Sequence, residues 1–184
     1  MNKLMGAILF LLLTCNGIIA QNTNASGEQI RMIKTASSEP NNPLVPGSYS
    51  ADSQFQKIMI VRLKHGSDIL AGLEETVSRE KLENAVILSG IGSLTGYHIH
   101  SVSNTTFPST NDFVKRMNIP MDLLTVQGYI IDGKVHAHIS ISDTRLTTGG
   151  HLEPGCTVFT FAIITLGILE DGADLSRFDD KSWR

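Results

Sequence analysis

The sequence predicts an α+β fold in which a mainly antiparallel β-sheet is flanked by one or two helices. Three observations support this prediction: five or six strand-like segments, one clear amphipathic helix, and links of hairpin length between most of the strands. Asp132-Gly133 is the strongest of these links, because both residue types accept the positive φ angles of a two-residue turn. The 184 residues are enough for one such domain with a leader and a tail.

The helix is predicted over residues 68–81. Ile69, Leu73 and Val77 recur at helical spacing, and the residues between them are largely charged. Ser67 is a residue type that commonly caps a helix N-terminus, so we expect it to be the cap. The charged side of the helix is expected to face solvent.

Strand signals fall in segments rich in β-branched and apolar residues: 58–64, 85–90, 94–102, 123–131, the segment after Gly133, and 156–169. Residues 90–93 contain two glycines and indicate a bulge or turn. The polar segment 103–118 is expected to be a loop with one helical turn at 113–117.

The two ends of the chain differ in composition from this central part. Residues 1–20 combine Lys3, an apolar run and a final Ala20, which is typical of a secretory signal peptide and predicts an exported protein, periplasmic or secreted. Lipid attachment at Cys15 is the alternative. We expect a flexible leader at 21–55, a domain at 56–170 and a polar tail at 171–184. No second apolar segment is long enough to span a membrane.

The formal net charge of −3 offers no basic surface for nucleic acid, so DNA binding is disfavoured. After removal of residues 1–20, Cys156 would be the only cysteine, so no internal disulfide is expected. Cys156 is either a metal ligand or, as we favour, a small buried apolar residue.

The histidines indicate a metal site. His136 and His138 stand two apart on a predicted strand and therefore project from the same face. His151 follows a Gly-Gly pair, which lets the backbone turn and approach closely. Three neutral imidazoles with an open fourth position suit a divalent metal, zinc above all. The alternative is that the three side chains only line a polar face.

A metal with three histidine ligands also raises the alternative of a hydrolase acting on a small polar substrate, since zinc lowers the pKa of bound water. Asp143 and Glu153 are the acidic candidates to assist it, although loop solvation or capping explains either one. His98 and His100 form a second same-face pair. No Gly-Gly-His segment returns to that pair in sequence, so we expect a partly exposed strand face there.

Five ordered motifs together resemble the plants-and-prokaryotes-conserved (PPC) domain: residues 62–68, 90–94, 127–128, 136–140 and 149–155. The resemblance covers about residues 58–169. It implies an antiparallel sheet flanked by helices, a homotrimer, and a metal site at His136, His138 and His151 near a subunit boundary. A small-molecule ligand at the metal is a further candidate partner.

Two departures from the PPC pattern bear on function. Plant members carry Arg-Gly-Arg-Pro DNA-binding motifs, and this chain has none. Many prokaryotic relatives carry an acidic residue on the closing strand, where this chain has Phe161 to Ile164 without an acid. The first departure weakens the DNA-binding alternative, and the second weakens a general-base role.

Overall fold

The computed structural model describes residues 21–23, 29–34 and 45–181. The predicted signal peptide, including Cys15, lies outside the described residues. Eight strands and one helix are present in the described part, in this order: β1 Gln21–Thr23, β2 Gln29–Lys34, β3 Phe55–Lys64, α1 Ile69–Glu80, β4 Ala85–Val102, β5 Thr110–Ile131, β6 Lys134–Ser142, β7 Thr147–Leu152 and β8 Thr157–Leu169. No helix in these ranges is long and apolar enough to cross a membrane.

All the strands belong to one sheet with the order β1-β2-β5-β6-β7-β4-β8-β3, and every neighbouring pair is antiparallel. Strand β4 also pairs with β5, so β4, β5, β6 and β7 form a closed ring. Asp132 and Gly133 both have positive φ and join β5 to β6 as a tight hairpin. The predicted mainly antiparallel α+β fold is confirmed.

The helix α1 packs one apolar side against the sheet. Ile69 and Leu73 are fully buried, and Val77 is nearly so. The helix begins one residue later than the sequence indicates, because Asp68 rather than Ser67 is the N-cap. Asp68 Oδ1 accepts a hydrogen bond from the backbone N–H of Ala71 at 2.9 Å. The prediction of Ser67 as the cap is therefore wrong.

We expect Asp68→Ala to lower the free energy of unfolding by about 2–3 kcal/mol, the combined scale of a lost cap and a lost charge-assisted hydrogen bond. The second bond is that of Asp68 Oδ2, which accepts from the N–H of Gly155 at 2.7 Å and ties the helix start to the β7–β8 turn. Urea denaturation measures the loss. Ser67→Ala is the matched control, because it keeps the backbone hydrogen bonds of Ser67. Equal stability of the two variants would contradict this assignment.

Two strands are longer than the sequence indicates. Segments 85–90 and 94–102 are parts of one strand, β4, and the glycine-rich link between them is a bulged stretch with register shifts, not a turn. The predicted loop at 103–118 is also wrong beyond residue 109, because β5 starts at Thr110. Pairing with β4 holds residues 111–117 extended, despite their polar composition.

The segment 21–55, for which the sequence gives no regular structure, contains β1 and β2. Strand β2 pairs with the first half of β5 over six residues. The sequence alone offers no sign of this pairing, since polar composition predicts a loop for the first half of β5 as well. Strand β3 begins at Phe55, within one residue of the predicted domain start.

The core lies between α1 and the inner face of the sheet. Its largest fully buried side chains are aliphatic: Ile69, Leu73, Leu94, Ile130, Ile141, Leu152, Ile164, Leu166, Val126 and Val158. The opposite face of β3, β8 and β4 is also apolar but exposed. Ile60 is 70% exposed and Ile91 58%.

Candidate metal centre

Three neighbouring strands place histidines in one row across the sheet. His151 on β7 stands directly opposite His138 on β6 and also directly opposite His100 on β4. Directly opposed residues of antiparallel strands project from the same face, so the three imidazoles meet. His136 lies two residues before His138 on β6 and projects from that face as well.

The ring distances show how tightly the cluster is packed. The ring centroid of His151 lies 5.0 Å from that of His136, 5.3 Å from that of His138 and 4.4 Å from that of His100. The His136 and His138 centroids are 5.8 Å apart. The structure therefore brings together the three histidines predicted from sequence, and their role as ligands stays a prediction.

Strand β7 can enter between β4 and β6 because it carries glycines where the backbones approach most closely. A Cβ on Gly150 would lie 2.6 Å from the carbonyl oxygen of His100. A Cβ on Gly149 would overlap the carbonyl oxygen of Ile139. Since real Cβ atoms do not approach backbone oxygens so closely, these positions favour glycine.

Sequence reasoning did not assign His100 to the cluster, and it gave Glu153 only as a candidate helper, not as a neighbour of His100 and His151. The expectation that no Gly-Gly-His segment returns to the His98 and His100 strand is wrong, because His151 itself pairs with His100. Glu153 Oε1 lies 2.6 Å from His100 Nδ1 and 3.4 Å from His151 Nδ1. The repeated His-x-His pattern on β4 was the available signal. Assigning it required the β4–β7 pairing.

Within the described residues, one set of three side chains has ligand atoms that all lie within 4.8 Å of one another: His100, His151 and Glu153. This set shares His151 with the set predicted from sequence. The predicted set of His136, His138 and His151 is not a second set at this distance, so the two sets overlap at His151 alone.

The electrostatics of the cluster favour the neutral form of two of its imidazoles, those of His138 and His151. The pKa of His151 is lowered to about 4, chiefly by burial and also by the neighbouring His100 and His136. Burial also lowers the pKa of His138, again with contributions from His136 and His100. Both imidazoles are therefore neutral near pH 7, which is the form that binds metal.

One buried atom in the cluster lacks a partner. His151 Nδ1 is buried and has no hydrogen-bond partner, since the 3.4 Å to Glu153 is longer than a good hydrogen bond. A buried nitrogen of this kind is costly unless something binds it. The cluster thus has four imidazoles, one of them with an unpaired buried nitrogen, and one carboxylate. This set of groups fits a divalent metal of the zinc type.

The remaining candidates from sequence have structural roles. Asp143 Oδ1 accepts from the backbone N–H groups of Arg145 and Leu146, both at 2.7 Å, and so caps its own turn. Cys156 is fully buried, and burial raises the pKa of its thiol to about 12. Its Sγ hydrogen-bonds to the backbone of His98. Cys156 is thus the small buried residue that the sequence favoured.

A cleft of about 740 Å³ opens beside the β6 histidines. It is bordered by the start of β3, by strands β4, β5 and β6, and by the tail after β8. The tail contributes Asp179, whose Oδ1 lies 3.1 Å from His136 Nδ1. The histidine cluster therefore has an accessible side, and the C-terminal tail borders it.

Comparison with known proteins shows which family and which relatives this chain is similar to. A family model for the Plants and Prokaryotes Conserved (PCC) domain matches residues 50–170. The bifunctional protein GlmU of a Synechococcus strain is 30% identical over 135 residues, which cover 73% of this chain and 19% of GlmU. The chain thus spans roughly a fifth of the length of the curated relatives it matches.

Several solved structures are similar to this chain, and two of them illustrate the likeness. A metal-containing protein of Archaeoglobus fulgidus has a TM-score of 0.59 and 21% identity, and the match covers 73% of this chain and 95% of that one. A PPC protein of Pyrococcus horikoshii has a TM-score of 0.57 and 23% identity, with coverage of 68% and 87%. At these identities the likeness shows the fold alone. The resemblance drawn from the five sequence motifs is nevertheless confirmed by the family match, and the chain belongs to the Plants and Prokaryotes Conserved domain family.

Proposed function

We propose that this protein binds a divalent metal, zinc, at the cluster of His100, His136, His138, His151 and Glu153. The observation that carries the proposal is His151 Nδ1, a buried nitrogen without a hydrogen-bond partner among three other imidazoles and a carboxylate. The A. fulgidus protein of the same fold is described as metal-containing, which supports the proposal.

Two ligand sets are available, and His151 belongs to both. In the first, His136, His138 and His151 hold the metal. Glu153 then contacts His100 and His151 without binding the metal and orients their rings, as carboxylates commonly do beside ligating histidines. In the second, His100, His151 and Glu153 hold the metal directly. With three protein ligands, zinc keeps a fourth position for water or a ligand and lowers the pKa of that water towards 7.

We expect purified protein to hold about one zinc per subunit and His151→Ala to hold almost none, because both ligand sets lose a member. Elemental analysis after dialysis against a weak chelator measures the content. His65→Ala is the matched control, since the His65 ring packs against Phe159 and hydrogen-bonds to its carbonyl oxygen, apart from the cluster. Equal zinc in the two variants would contradict the proposal.

His138→Ala and His100→Ala, measured in the same assay, show which of the two ligand sets holds the metal. Loss of zinc in His138→Ala alone assigns the metal to the histidines of β6 and β7. Loss in His100→Ala alone assigns it to the set that contains Glu153. Circular dichroism of each variant shows whether the fold is kept, so that lost zinc is not confused with unfolding.

We also propose that the protein is exported and assembles as a homotrimer. Export is supported by the signal-peptide composition of residues 1–20. Self-association is supported by the exposed apolar face of β3, β8 and β4, where Ile60, Ile91 and Phe159 are each at least half exposed. Contiguous apolar surface of this kind is typical of protein interfaces.

A further inference from the structure

The cleft beside the β6 histidines has two chemically different ends. Its body is lined by apolar and aromatic side chains from four parts of the chain, with Val86 and Ile131 on the strands, Phe55 at the start of β3, and Phe178 in the tail. Its other end is polar and contains His136, His138, Gln127 and Asp179. A volume of about 740 Å³ lies in the range of pockets that take small organic molecules.

The aromatic walls are available to a ligand. Phe55 is 51% exposed, Tyr129 51% and Phe178 47%. Large aromatic side chains that stay half exposed around a concave surface gain free energy when an apolar group covers them. The apolar end of the cleft therefore fits a ring or a branched alkyl group.

The tail indicates which head group the polar end accepts. Phe178 and Asp179 are adjacent, so the tail itself brings an aromatic ring and a carboxylate into the cleft together. The Asp179 carboxylate lies 3.1 Å from His136 Nδ1. The side chains of His136 and Asp179 are about two-fifths exposed, at 41% and 42%, so this contact is open to exchange with a ligand from solution.

We propose that the cleft binds a small carboxylate with an aromatic or branched apolar body. The carboxylate takes the place of Asp179 beside His136 and reaches the metal at the histidine cluster, while the body lies between Phe55, Tyr129 and Phe178. This inference rests on the proposed metal site, because the bound cation offsets the negative charge that the ligand brings.

The probe is 3-phenylpropionate, titrated by calorimetry into the zinc-loaded protein. Two comparison compounds each lack one part of the probe: acetate lacks the apolar body, and 3-phenylpropan-1-ol lacks the carboxylate. We expect 3-phenylpropionate to bind at least about tenfold more tightly than either, which corresponds to the gain from one additional well-placed group.

Two variants test the two ends in opposite directions. Phe55→Ala is expected to weaken 3-phenylpropionate about tenfold, and Phe107→Ala, at an aromatic residue of similar exposure in the β4–β5 loop, to leave it unchanged. Asp179→Asn removes the competing charge and is expected to tighten binding about threefold. All three residues are substantially exposed, so the variants are expected to fold.

Zinc content is measured on every sample, which separates the two proposals. Protein that holds zinc but shows no binding of 3-phenylpropionate overturns the ligand inference and leaves the metal site standing. Binding that is unaffected by Phe55→Ala, or weakened by Asp179→Asn, also overturns it. Protein that holds no zinc overturns the proposed function. If that protein still binds 3-phenylpropionate, the inference that the metal holds the carboxylate of the ligand is overturned as well.

Discussion

Gly128→Ala is expected to lower the free energy of unfolding by about 3 kcal/mol or more, the combined scale of one strained backbone position and one overpacked contact. Gly128 has φ of +150°, a conformation that is essentially restricted to glycine. A Cβ at this position would overlap the carbonyl oxygen of His136 and would lie 2.8 Å from the Cα of Ala137. Both contacts are with backbone atoms, which have little room to move.

The same substitution is expected to disturb the metal centre. Gly128 pairs with Ala137, between His136 and His138, so any shift of β6 that relieves the overlap moves both imidazoles. We therefore expect zinc content to fall together with stability. Chemical denaturation measures the change in the free energy of unfolding. Elemental analysis of the folded fraction measures the zinc content.

Gly47→Ala is the control for Gly128→Ala, because a Cβ at Gly47 has no atom within 4 Å. It is expected to change stability by less than about 0.5 kcal/mol, as surface substitutions usually do. A Gly128→Ala variant that unfolds at the same denaturant concentration as Gly47→Ala would show that β5 and β6 adapt more easily than their backbone contacts indicate.

Features of the fold that depend on local sequence could be predicted. The apolar spacing of Ile69, Leu73 and Val77 located the helix, and Asp132-Gly133 located the hairpin, because each signal lies within a few residues. The lengths of β4 and β5 could not be predicted in this way. Polar residues such as those at 110–117 become strand through hydrogen bonds to β2 and β4, which are distant in sequence.

The same distinction applies to the site. His136 and His138 were recognisable together because two residues of one strand share a face, whatever the strand pairs with. His100 joins the cluster only through the pairing of β4 with β7, across about 50 residues of chain. The sequence indicates Glu153 as a candidate helper to catalysis, but its contacts with His100 and His151 follow from that same pairing. Asp179 reaches His136 from the tail, which carries no sequence signal for this contact.

The exposed apolar face of the sheet leads to the last prediction, which concerns assembly. Arg62 and Ile91 both stand opposite Ile163, so β3, β8 and β4 present one continuous outer face. Ile60 and Ile91 are well exposed on it, and the guanidinium of Arg62 lies over the ring of Phe161 at 5.4 Å. A face this apolar is expected to be covered by other copies of the chain.

We expect the wild-type protein to sediment with the mass of three subunits and the double variant Ile60→Lys, Ile91→Lys with the mass of one. Two ammonium groups brought into an apolar interface cost several kcal/mol each without a partner, whereas on a free subunit both remain in water. Sedimentation equilibrium measures the mass. Val102→Lys is the matched control and is expected to keep the wild-type mass. It also places a lysine at an exposed apolar position of β4, since Val102 is 66% exposed at the end of that strand.

A double variant that keeps the wild-type mass would place the subunit contacts elsewhere, and a wild-type protein with the mass of one subunit would contradict the trimer. The zinc content of the single-subunit variant then bears on the metal centre. All five side chains of the cluster come from one chain, so we expect a separated subunit to keep its zinc. Loss of zinc on separation would instead mean that a neighbouring subunit contributes to the metal centre, as a site near a subunit boundary would require.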